Sequence, residues 1–264
     1  MSAFFSVKDL SVRFGGLLAI ENLSFEVREG EVLALIGPNG AGKTSAFNAI
    51  TGYLKPTGGE VLFNSKNITA KSSHEIAALG LVRTFQKTSV FGARSALENI
   101  LIGLHLSSKQ TVLAILLGLP SVAREERELE KEAQRILDFV GLGSKSGEAS
   151  SALPYGEQRL LEVAIALAAQ PKLLLLDEPV SGMNPSETAS FMAKLAEIRA
   201  LGITVLLVEH DMKMVMGVSD RIVCLAQGRV IASGTPAEIQ RNPDVIRAYL
   251  GERYARGQGA HIRA

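Results

Sequence analysis

Residues 37–44 read Gly-Pro-Asn-Gly-Ala-Gly-Lys-Thr, between the apolar run Val32-Leu33-Ala34-Leu35-Ile36 and a stretch with helical spacing. A strand that passes through a G-x-x-x-x-G-K-[ST] loop into a helix cradles the phosphates of a nucleoside triphosphate. Glycine lets the backbone wrap closely enough for successive N–H groups to face a phosphate. The helix N-terminus beyond adds positive potential. Lys43 brings a point charge for the β- and γ-phosphates, and Thr44 a hydroxyl for Mg²⁺. Four fixed positions in the right context make a chance glycine turn a poor explanation. Gly37, Pro38, Asn39, Gly40, Ala41, Gly42, Lys43, Thr44 and the adjoining Ser45 are therefore candidate nucleotide-binding residues.

Composition narrows the class. The chain has 264 residues, 47% of them hydrophobic, which suits one large or two small domains with a sizeable core. Its 28 basic and 27 acidic residues nearly cancel, so no global field points to nucleic acid. The single cysteine, Cys224, lies in the run Arg221-Ile222-Val223-Cys224-Leu225-Ala226, which favours a core thiol and excludes a disulfide framework. No secretory signal is visible. The most apolar stretch, Val112 to Leu119, is too short to cross a bilayer. The expectation is an intracellular protein, soluble by itself, that reaches a membrane through partners.

Hydrophobic periodicity sets out an α/β chain. Leu10, Val12 and Phe14 alternate with polar residues, as do Leu23, Phe25 and Val27. The turn signal Pro56-Thr57-Gly58-Gly59 leads into the strand-like Glu60-Val61-Leu62-Phe63. Residues 87–160 read as helical: Leu129, Ala133, Ile136, Leu137 and Val140 make one apolar face, and the mixed charge of Arg124 to Lys131 suits a solvated one. From residue 171 strands and helices alternate again. Leu173 to Leu176 and Ile203 to Val208 are continuous apolar runs, as in strands buried on both faces. The expected organisation is a core of residues 1–86 and 161–250, a helical insertion at 87–160, and a flexible Gly- and Arg-rich tail at 251–264.

The run Leu173 to Leu176 ends in Asp177-Glu178-Pro179. Functional groups of parallel α/β sheets gather at strand C-termini, the edge on which the phosphate loop lies. Asp177 is a candidate Mg²⁺ holder, directly or through water. Glu178 is a candidate general base or orienter of an attacking water. His210 closes the strand Ile203 to Val208 and can hydrogen-bond a γ-phosphate. Gln86, after Leu81-Val82-Arg83-Thr84-Phe85, can contact Mg²⁺ and the water. His74, His105 and His261 are read as structural.

One segment joins these parts. Leu153-Pro154-Tyr155-Gly156-Glu157-Gln158-Arg159 opens a helix just before the Asp177-Glu178 strand. It resembles the LSGGQ-type signature of ATP-binding cassette proteins, and with residues 37–44, Gln86, Asp177-Glu178 and His210 every cassette element stands in family order. The resemblance spans about residues 4 to 250. Phe14-Gly15-Gly16-Leu17, Val82-Arg83-Thr84-Phe85-Gln86, Glu209-His210-Asp211-Met212, Ser219-Asp220-Arg221-Ile222 and the stretch from Asn242 to Gly251 look like the branched-chain amino acid importer ATPases.

The resemblance implies a P-loop NTPase core of the cassette type, with an N-terminal antiparallel β region and an inserted helical subdomain. It implies ATP and Mg²⁺, with Thr44, Gln86 and Asp177 toward the metal and Glu178, His210 and Gln86 in hydrolysis. Tyr155, Gly156, Glu157 and Gln158 would meet nucleotide held by a second cassette, the same or a sister chain. Two transmembrane permease subunits would dock around Gln86 and the helical insertion. An extracytoplasmic solute-binding protein would act indirectly. The chain would lie peripherally on the cytoplasmic side of the inner membrane. Phe14 is balanced, on the residues alone, between core and adenine stacking; the resemblance tips it toward adenine.

Other classes fit less well. A single P-loop excludes a tandem ribosome-type cassette, and no long heptad segment supports a DNA-repair coiled coil. Balanced charge disfavours nucleic acid, and intact Glu178 and His210 disfavour a binding protein without turnover. Urea, short amides or other amino acids stay open as solutes, since permeases and an external binding protein would select them. Two positions depart from the family. Asn184 stands in Ser181-Gly182-Met183-Asn184 where aspartate is common. Pro154 replaces the usual serine and so lacks a hydroxyl and an N–H. Pro154→Ser is accordingly expected to raise ATPase activity or tighten dimerisation; steady-state turnover and sedimentation with ATP check it.

Overall fold

A computed structural model describes residues 4–84, 90–104 and 120–249. Two sheets organise them. Strands β1 (Phe5–Phe14), β2 (Leu17–Val27), β4 (Gly58–Phe63) and β5 (Lys66–Asn67) form an antiparallel sheet of order β2-β1-β4-β5. Strands β3 (Val32–Ile36), β6 (Leu81–Arg83), β7 (Leu173–Asp177), β8 (Thr204–Val208), β9 (Arg221–Ala226) and β10 (Arg229–Gly234) form a second sheet of order β10-β9-β3-β8-β7-β6. All its pairs are parallel except the β9–β10 edge.

The apolar runs explain this sheet. β3, β7 and β8 are buried at every residue. Side chains alternate across a strand, so each run feeds cores on both faces of the sheet, with Ala34 and Ile36 of β3 joining a cluster of their own with Val215 and Ile239. Leu33, Leu35, Leu173, Leu175, Leu206 and Val208 join Phe5, Leu10, Leu23 and Phe63 of the antiparallel sheet in one cluster. Val32, Leu174, Leu176, Val205 and Leu207 pack the opposite way, against Phe191, Leu195 and Ile198. Helix α1 (Lys43–Ile50) adds Ala46, Phe47 and Ile50 to the first cluster. Helix α2 (Ser73–Ala78) leads into β6. Cys224 is buried in β9, and burial pushes its thiol up to about 11, against a downward pull from Lys43.

The helical insertion has its own core. Helices α3 (Ala96–Leu104), α4 (Pro120–Val140) and α5 (Tyr155–Ala168) enclose Ile100, Ala133, Leu137, Val140 and Leu161, with Leu129 and Ile136 packed alongside. The helical reading of 87–160 meets a break at Gly141, whose φ of 83° closes α4. Residues 141–154 then form turns and two short 3₁₀ segments. Helix α5 faces two ways: Leu161, Ala164 and Ala168 enter the helical cluster, while Val163 and Ala166 enter the sheet cluster. Helices α6 (Pro185–Ala200), α7 (Met212–Val218) and α8 (Pro236–Arg241) complete the crossovers and the C-terminal layer, followed by helical residues 243–249. Among the described residues no helix is long and apolar enough to cross a membrane. Val112 to Leu119, Gln86, His105 and the tail at 251–264 lie outside the described residues.

Asn184 is the N-cap of α6. Its side chain accepts from Ser186 N at 2.9 Å and Glu187 N at 3.0 Å, and Glu187 returns a bond to Asn184 N at 2.9 Å. Aspartate caps about as well as asparagine, so this departure from the family leaves the helix start intact. Asn184→Ala is expected to lower stability by about 1 kcal/mol and Asn184→Asp to leave it nearly unchanged, as read from urea unfolding midpoints.

Candidate functional site

β3 delivers the chain to the loop and α1 receives it. Gly42, the N-cap of α1, has a φ of 103°, and a Cβ there would strike the Ala19 carbonyl and Ile20. Only glycine meets both demands. The first turn of α1 has no side-chain cap and no acidic residue, so its amides and dipole are presented to a ligand. The Lys43 ammonium donates to the Gly37 and Pro38 carbonyls at 2.6 and 3.1 Å, spanning the loop from inside. Thr44 is exposed and Ser45 half-buried beside it.

Residues 39–45, though not Gly37 or Pro38, line a cavity of about 550 Å³ that also takes in Phe14, Leu17 and Glu178. Small-ligand sites span roughly 300–1,000 Å³. Phe14 is 49% exposed and lies in this cavity wall, not in the core with Leu10 and Val12. The β1–β2 turn, which pairs Phe14 with Leu17, tips its ring outward.

β7 ends at the same sheet edge. Glu178 follows it with φ at +49°, half-buried, its N–H bonded to the Val208 carbonyl at 2.8 Å. A left-handed glutamate stores strain of about 1–3 kcal/mol, which the fixed ends of β7 and β8 hold in place. Asp177 is 2% exposed and pairs with Arg83 through Oδ2 at 2.6 Å. The exposed His210 caps the neighbouring strand. Its backbone N–H and that of Asp211 donate to Glu209 Oε2 at 2.8 and 3.1 Å, and Val180 N donates to Oε1 at 3.0 Å.

The comparisons with known proteins agree with this architecture. A family model described as ABC transporter matches residues 20–181. The chain belongs to this ATP-binding cassette family. A second model, described as branched-chain amino acid ATP-binding cassette transporter, matches residues 229–255. The chain is 46% identical over 248 residues to the high-affinity branched-chain amino acid transport ATP-binding protein LivG of Salmonella typhimurium, covering 94% of this chain and 97% of that one. It is 45% identical over 247 residues to BraF of Pseudomonas aeruginosa, a protein of the same description, covering 93% and 97%. The crystal structure of an ABC transporter cassette in its ADP conformation superposes with a TM-score of 0.83 at 32% identity, covering 95% and 100%.

The cassette carries groups that motif reading passed over. Arg83 is the foremost. Besides Asp177 it reaches Asn48 Oδ1 at 2.8 Å and Thr51 Oγ1 at 3.1 Å, between the rings of Phe47 and Tyr53. It joins α1, β6 and β7 three residues before Gln86. An arginine inside the apolar triplet Leu81-Val82-Arg83 is the sequence signal, because a buried charge needs a partner. Glu209 is 1% exposed and staples the Glu178 and His210 loops through backbone amides, with the His210 ring Nδ1 3.8 Å from its carboxylate.

The signature residues lie elsewhere: none of Tyr155, Gly156, Glu157 or Gln158 lines the cavity. Pro154 is the N-cap of α5, one position before its first turn, with no side-chain cap bond. Glu157 pairs with Lys145 at 2.6 Å, a bond that raises the lysine pKa. Gln158 folds back on the Leu153 carbonyl at 2.8 Å. Gly156 is buried, and a Cβ there would come within 2.9 Å of the Glu187 carboxylate. Within one chain, then, a Cβ here would displace the Glu187 side chain from its place beside α5. Arg83→Met is expected to destabilise the nucleotide-free cassette by about 3–5 kcal/mol, because it strands a buried carboxylate. The double variant Arg83→Met, Asp177→Asn should recover part of the loss in chemical denaturation.

Proposed function

We propose that this cassette is the ATP-hydrolysing subunit of an importer of branched-chain or related amino acids, working on the cytoplasmic side of the inner membrane. The observation that carries the reading is the 46% identity, over nearly the full length of both chains, to a LivG protein. The C-terminal match to the branched-chain family model supports it at residues outside the phosphate site. A second cassette, two transmembrane permease subunits and an extracytoplasmic solute-binding protein complete the proposed assembly, with no role for nucleic acid.

In this reading the amides of residues 39–44 hold the triphosphate, and Lys43 and Ser45 add polar contacts. The exposed Phe14 ring stacks on adenine. Among the described residues no three His, Cys, Asp or Glu side chains cluster to hold a metal. One carboxylate, Asp177, and one hydroxyl, Thr44, on the same sheet edge suit Mg²⁺, which takes few protein ligands and keeps water and phosphate oxygens. Gln86 joins them in the proposed set. When bound, Mg²⁺ neutralises charge on the β- and γ-phosphate oxygens. Glu178 accepts the proton of the attacking water, or orients it, from a backbone that strand pairing holds fixed. His210 donates toward the γ-phosphate. Tyr155, Gly156, Glu157 and Gln158 of a second cassette close the site, so hydrolysis is tied to association.

Glu178→Gln is expected to cut ATP turnover at least about a hundredfold while stabilising an ATP-bound dimer, measured by phosphate release and by size-exclusion chromatography with ATP. Retained turnover removes Glu178 from its role. Mild-detergent affinity purification of this chain from its native cells should recover two polytopic subunits and a second cassette. Recovery of soluble partners alone, from a well-extracted membrane fraction, overturns the importer reading.

A further inference from the structure

The start of α5 is tied to the loop before α6 through one side chain. Tyr155 Oη donates to the Ser181 carbonyl at 2.9 Å and accepts from Arg159 Nε at 3.0 Å. A phenol has one proton to give, so the Arg159 bond leaves its direction toward Ser181 no freedom. Arg159 is itself held. It is 5% exposed, pairs with Glu162 at 3.0 Å, and carries its guanidinium 5.3 Å from the Tyr155 ring centroid. The ring in turn shapes the loop: a Cβ on Gly182 would lie 3.1 Å from it. The next residue, Gly156, lies close enough to Glu187 that a Cβ there would meet its carboxylate, and Glu187 also closes the α6 capping box.

We propose, building on the paired-cassette function above, that Tyr155 is a positioning residue that locks the signature helix to the Ser181–Asn184 loop, so that both meet a partner cassette as one rigid surface. The alternative, in which its hydroxyl reaches nucleotide on the partner, competes with two protein bonds already made by the same oxygen. Tyr155 stays 40% exposed while its hydroxyl is occupied. Tyr155 therefore still offers surface to a partner, but its one hydroxyl proton is already given to Ser181. Fixing two loops before association removes part of the ordering cost of closure.

The test is Tyr155→Phe, which keeps the ring and deletes only the hydroxyl. It is made in the full chain and assayed in the complex recovered from native cells. One hydrogen bond with a charged-group neighbour is worth about 1.5 kcal/mol, or roughly tenfold. The expected result is a tenfold lower kcat, with KM for ATP and the affinity of the isolated chain for ATP within twofold of wild type. ATP-driven association in a Glu178→Gln background should weaken by a similar factor.

A kcat within twofold of wild type overturns the proposal. So does a loss that appears only as a lowered Tm, with normal turnover per folded molecule. A KM that rises while kcat holds points to direct nucleotide contact and overturns it as well. If wild type neither turns over ATP nor associates with it, the cassette function itself fails. If wild type does both and Tyr155→Phe matches it, only the positioning role fails.

Discussion

The parallel strands β3, β7 and β8 are buried on both faces, and this constraint decides where chemistry can happen. Their apolar residues are divided among three hydrophobic clusters. A polar group inside any of these clusters would have to be desolvated without compensation. Functional side chains are therefore pushed to the ends of the strands, and the parallel direction brings those ends to one edge. The phosphate loop after Ile36, Asp177-Glu178 after Leu176, and Glu209-His210 after Val208 are consequences of the same packing.

Polar groups that are buried near this edge act as ties between loops. Arg83 joins Asp177 to α1, Glu209 joins the His210 loop to Val180, and Arg159 fixes Tyr155 against Ser181. Buried ion pairs are weak sources of net stability, since desolvation offsets most of the attraction. Their consequence here is geometric. Each makes two segments distant in sequence hold one relative position. The strained backbone of Glu178 persists for the same reason, with β7 and β8 paired up to the residue before it.

The open cavity and the signature helix divide the proposed reaction between chains. The cavity has a floor of loop amides and a wall bearing Phe14 and Glu178, and none of residues 155–158 reaches it. A chain built this way holds a nucleotide from one side. In the proposed pairing, completion from a second cassette would give association a chemical consequence, which is what a transport cycle requires of its motor.

Much was determined by the sequence alone. Continuous apolar runs named β3, β7 and β8, because burial on both faces leaves no alternation to read. The glycine spacing at 37–44 named the candidate phosphate loop, which the fold sets between β3 and α1 against the cavity. Asp177, Glu178 and His210 were legible as strand-end residues from the same apolar runs. Phe14 was not decided, since alternation continues through it and cannot tell the last core position from the first exposed one; the β1–β2 turn placed it in the cavity wall. Arg83, Glu209 and the bond from Tyr155 to Ser181 belong wholly to the tertiary structure. Their partners stand 94, 29 and 26 residues away in the chain. Local periodicity records which face a residue occupies, and only the folded chain records what lies across from it.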